Sequence, residues 1–109
     1  MTRIQIIQAI GDLLTRLDVL RGGLLPGDPE RRELDDLRLL LDDRQRRLSQ
    51  QHFDESTSAF QAAAADFRRI TSDVRQTIES VERVIDTIRN VRRLLSAVDT
   101  IAGAVLPVV

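Results

Sequence analysis

From Phe60 to the end of the chain, apolar residues return at alternating spacings of three and four. With Phe60 as position a of a heptad, the a positions are Phe60, Phe67, Val74, Val81, Ile88, Leu95 and Ala102. The d positions of the same frame are Ala63, Ile70, Thr77, Val84, Val91, Val98 and Val105. That spacing gathers them on one stripe of an α-helix. No Gly or Pro interrupts the stretch before Gly103. The pattern predicts a single coiled-coil-like helix over 58–105, roughly 70 Å long at about 1.5 Å per residue. Such a stripe speaks to shape and association, not to chemistry.

Two shorter helices are expected ahead of it. The first covers about 2–21. Thr2 and Gln5 match a capping box, in which hydroxyl and amide each satisfy an orphan backbone donor. Ile6, Ile10, Leu13, Leu17 and Leu20 supply its apolar stripe, and Gly22 and Gly23 end it. Gly11 sits inside the stripe, where it marks either a close helix approach or a tolerated surface position. The loop from Gly22 to Asp28 contains Pro26 and Gly27. Asp28 followed by Pro29 then starts the second helix, over 29–51, with a capping carboxylate and a residue whose missing N–H is harmless in the first turn. Leu34, Leu37, Leu41 and Leu48 form its seam, and its outer face alternates Asp and Arg. The step from Leu48 to Phe53 breaks the heptad phase, and Asp54, Ser56, Thr57 and Ser58 are capping residues, so a turn is expected there. Ser58 with Gln61 matches a second capping box. The small Ala62–Ala65 run would let a partner helix approach closely. Within the long helix, Thr71, Ser72 and Asp73 are the only plausible place for a break.

The fold class that follows is all-α: one domain over 1–109, an antiparallel bundle of three helices (about 2–21, 29–51 and 58–105). The third is about twice as long as its partners. Helices 1 and 2 either fold back on each other beside its first half or lie end to end along it. Both arrangements leave apolar surface uncovered, and large bare patches are rare on monomers. A homo-oligomer, dimer or higher, is therefore expected to complete the bundle. The expected interaction seam is Val84, Ile88, Val91, Leu95, Val98, Ala102 and Val105.

Chemistry is conspicuous by its absence from the sequence. There is no Cys, and the one His, His52, lies in the turn beside Asp54 and Glu55 with no nucleophile implied. No glycine-rich phosphate loop or calcium-loop spacing occurs. The reading is of a protein that is not an enzyme and has no cofactor or metal. All sixteen cations are Arg, against seventeen Asp and Glu, for a net charge of −1. Base composition explains the missing Lys more simply than selection for bidentate contacts. With that charge and no stacking aromatics beyond three Phe, nucleic acid is an unfavoured partner.

The last stretch, 94–109, is almost wholly apolar and follows Arg89, Arg92 and Arg93. It is too short and too polar to span a bilayer, but an apolar tail with a basic flank suits peripheral membrane contact, with those three Arg touching lipid or another anion. The heptad running through it in register favours burial instead. No secretory signal or spanning segment is read at the N-terminus, so a cytoplasmic location is expected. In length and hairpin character the chain resembles small bacterial helical families such as the secreted Trp-x-Gly hairpins and the phasin-like granule proteins. It has no Trp for the first and no matching motif for the second, so neither carries a site across. The function expected is that of a non-enzymatic structural or adaptor protein pairing with itself or with a partner helix. Membrane association through the tail is the alternative.

Overall fold

The computed structural model describes residues 1–103, and every extended element among them is a helix. Helix α1 spans Arg3–Gly22, α2 spans Pro29–Gln50, α3 spans Ser58–Thr77 and α4 spans Val84–Ala102, with a single 3₁₀ turn at Val81–Arg83 before α4. The first two helices start where their caps require. Thr2 accepts from the Gln5 N–H while the Gln5 side chain accepts from the Thr2 N–H, a reciprocal box. Asp28 accepts from the Glu30 N–H ahead of Pro29. At α3 the cap lies one residue earlier than the Ser58 box predicts: Thr57 accepts from the Phe60 N–H at 3.2 Å.

The continuous helix expected over 58–105 is instead two helices folded against each other. The Ile78 N–H still bonds the Val74 carbonyl, but the Ser80 N–H then turns back to Thr77 and the Arg83 N–H to Ser80. Ser80 itself is extended, at φ −111° and ψ 114°. The segment from Thr77 to Ile88 is dense in β-branched residues, which lowers its helix propensity. Folding back also buries both stripes at once, which a straight rod cannot do. The break falls after Thr77 and not at Thr71, Ser72 and Asp73, the one place the sequence offered for it, which stay helical.

Cross-helix contacts fix the arrangement. Asp18 pairs with Arg38, and the Gln45 amide donates to the Ile7 carbonyl at 3.0 Å, so α1 and α2 run antiparallel. Thr77 meets Thr87, and Asp73 meets Arg93, so α3 and α4 are antiparallel as well. Between the two hairpins the neighbours run parallel: α2 beside α4 through Glu33–Arg92 and Arg44–Asp99, and α1 beside α3 through Asp12–Arg75 and Arg16–Glu79. The order round the bundle is thus α1, α2, α4, α3, and the 51–57 connection crosses the diagonal. Phe53 is partly buried beneath that crossing, with its ring 5.5 Å from Phe60.

One continuous core fills the centre, with Ile6, Ile10, Leu13, Leu17, Leu34, Leu41, Phe60, Phe67, Leu94 and Ile101 almost wholly inaccessible. The bundle has four helices from one chain, where three were expected. Gly11 marks a close approach: a Cβ there would lie 3.1 Å from the Gln45 amide nitrogen.

Candidate interaction surface

The expected interaction seam lies inside this core. Val84, Ile88, Val91, Leu95 and Val98 are all buried against the chain's own helices, and Ala102 is partly buried. Val105 lies outside the described residues. The described part of the seam, Val84 to Ala102, is therefore covered by the chain's own helices. Its periodicity is the signature of burial, and burial inside one chain leaves the same signature as burial between two.

Arg89, Arg92 and Arg93 gather on the opposite side from that core, and each already faces a carboxylate. Arg89 lies 3.5 Å from Asp86, Arg92 lies 2.8 Å from Glu33, and Arg93 lies 3.2 Å from Asp73. They share a cavity between α2 and α4 with Glu30, Glu33, Ile85 and Ile88. Glu30 and Glu33 offset the Arg charge there. The Glu30 carboxyl is held above the usual carboxylate range by its hydrogen bond with the Asp28 side chain. In the apolar tail, Leu94, Leu95, Ala97, Val98 and Ile101 are buried, so up to Gly103 it offers no bare apolar face. No helix among the described residues is long and apolar enough to cross a membrane.

What the heptad did not indicate is the side between α1 and α3. Those two helices approach each other less closely than the neighbours on the other three sides of the bundle. The space between them opens into three cavities along the seam. The first, about 470 Å³, lies among Met1, Thr2, Glu55, Gln61, Ala64, Ala65 and Arg68. The second, about 480 Å³, continues along Gln5, Gln8, Ala9 and Asp12 to Arg68 and Arg75. The third, about 520 Å³, is lined by Thr15, Arg16, Val19, Leu20, Ile78, Glu79 and Val81, and it is the most apolar of them.

Charge along this groove is unevenly satisfied. Asp12 holds Arg16 at 3.0 Å and Arg75 at 3.4 Å, and Arg16 also reaches Glu79 at 3.1 Å. Arg68 borders two of the cavities and has no ion-pair partner among the described residues. The walls beside it are small, made by Ala9, Ala64 and Ala65. Val19 at 75% exposure and Val81 at 42% leave apolar surface at the far end. Ala64 and Ala65 of the Ala62–Ala65 run line the first of these cavities. Among the described residues no cluster of metal-ligating side chains forms. No protein-family model matches the chain, and no curated protein or solved structure matches it either.

Proposed function

We propose that this chain is a non-enzymatic structural or adaptor protein that acts by helix pairing, with itself or with a partner helix, through its α1/α3 side. The observation that supports this reading is the open groove between α1 and α3, the two neighbours that approach each other least closely; the cavity between α2 and α4 is instead lined by Arg and Glu side chains that offset each other. A bundle that filled all four sides would leave no place for a further helix. The small walls at Ala9, Ala64 and Ala65 favour close backbone approach, and the bare Val19 and Val81 add apolar area at the end of the same face.

The test uses the groove wall. Ala65 is exposed and faces the cavity beside Arg68, so Ala65→Arg fills the groove without touching the core. Light scattering across a wide range of concentration should show association by wild type and its loss in the variant, with the same thermal unfolding curve. Solvent labelling of α1 and α3 should fall as wild type associates. Association that survives Ala65→Arg, with labelling of both helices unchanged, would rule out this face.

A further inference from the structure

The groove's occupant can be sought by what the rest of the molecule leaves unpaired. Helix α2 is the place to look. Its outer face carries Asp36, Leu39 and Leu40, which at spacings of three and four lie together on one side of the helix. Leu39 is 66% exposed and Leu40 43%, large apolar side chains on the most charged helix of the chain. The neighbouring carboxylates are each engaged within the chain: Asp35 by Arg21, Asp42 by Arg46, and Asp43 by Arg44 and Arg47. Asp36 alone of these four has no ion-pair partner among the described residues.

Building on the self-pairing reading above, we infer that the α1/α3 groove receives the outer face of α2 from a second copy of this chain. A carboxylate without an ion-pair partner among the described residues, Asp36 on the α2 face, then meets a guanidinium likewise without one in the groove, Arg68. Leu39 enters the cavity beside Ala64 and Ala65, the small residues among the longer Met1, Glu55 and Gln61 that line it, as a knob into a hole. The two surfaces cannot meet within one molecule. Helix α2 turns its core face to α1 and α4, and its outer face points away from the groove. The contact therefore joins two different patches, so each added copy still presents one free groove and one free α2 face. Such a heterologous contact extends the assembly unless a ring closes.

The experiment exploits that asymmetry. Leu39→Asp spoils the α2 face and keeps the groove, whereas Arg68→Glu spoils the groove and keeps the α2 face. Both positions are exposed, and circular dichroism melts check that each variant stays folded. Wild type should pass beyond a dimer as concentration rises in sedimentation velocity. Each variant alone should remain monomeric, with association weakened by about tenfold or more. An equal mixture of the two should stop at a pair, since only one good groove and one good α2 face remain. If the variants associate like wild type, this occupant is overturned while self-pairing stands. If each variant is monomeric and the mixture is monomeric too, the head-to-tail arrangement is overturned. Wild type that stays monomeric at every concentration overturns self-pairing itself.

Discussion

The hydroxyls of Thr77 and Thr87 lie 2.7 Å apart, both side chains buried, at the point where α3 turns back into α4. The Thr77 hydroxyl also lies 3.3 Å from the Val74 carbonyl, so it has two neighbours to share. Thr77→Val leaves the Thr87 hydroxyl without its partner and should cost about 1–2 kcal/mol, while replacing both by Val should return most of that loss. Urea midpoints for the two single variants and the double one check this, and strict additivity would show that the hydroxyls are uncoupled. At the exposed turn before α3, the Ser56 hydroxyl and N–H both donate to the Asp54 carboxylate, holding its pKa below the usual carboxylate range. A depressed folded pKa adds stability that is present above the ordinary carboxylate value and lost as pH falls through the folded one. Ser56→Ala should move the Asp54 titration back toward the ordinary value in a carboxyl NMR titration. Capping at Thr2 and Asp28 was legible because each partner is within three residues in the chain. The Thr77–Thr87 contact was not, because its partner is supplied by the fold.

The same distinction decides which elements could be read. Helices α1 and α2 lie within a residue or two of their expected bounds, since Gly22, Gly23, Asp28 and Pro29 punctuate them chemically. The turn at 51–57 was also legible, through the phase step from Leu48 to Phe53. The reversal at Ile78–Arg83 was hidden, because apolar residues keep their spacing across it and no Gly or Pro marks it. Val81, which the heptad assigned to the stripe, takes no part in the core and stands exposed. Spin labels test the reversal directly, and a chain without Cys makes the labelling clean. Asp73 and Arg93 touch in the hairpin, whereas in a straight helix they would stand roughly 30 Å apart at about 1.5 Å per residue. Labels at Asp73→Cys and Arg93→Cys should report the short separation. The exposed ion pair that they remove contributes little to stability, since such pairs are worth about 0–1 kcal/mol.

For the molecule as a whole, the decisive fact is that two hairpins complete one core. Val91 is fully inaccessible within it. Val91→Asp should therefore destabilise the isolated chain by about 3 kcal/mol or more, as an unpaired buried charge does. Chemical denaturation read by circular dichroism checks this. A Val91→Asp chain that unfolds like wild type but loses association would return the residue to an intermolecular seam. Charge reversal at Arg68, on the surface, should have the opposite profile, with unfolding unchanged and association lost. The open α1/α3 side was not legible in the sequence. A groove is a property of two helices, and nothing local to either one says how far apart they will stand.

What the sequence by itself determined is the set of helices that carry caps and breakers, the apolar stripe of each, and the all-α class. Those follow from interactions within a turn or two of chain and from the period of apolar residues. Only the tertiary structure decided that the stripe from Phe60 onward is folded in half, that its residues from Val84 to Ile101 are buried against the chain's own helices, and that the open side lies between α1 and α3. A stripe records that a face is buried. Which surface buries it depends on how the chain can close its largest apolar area, and among the described residues closing on itself buries most of each stripe.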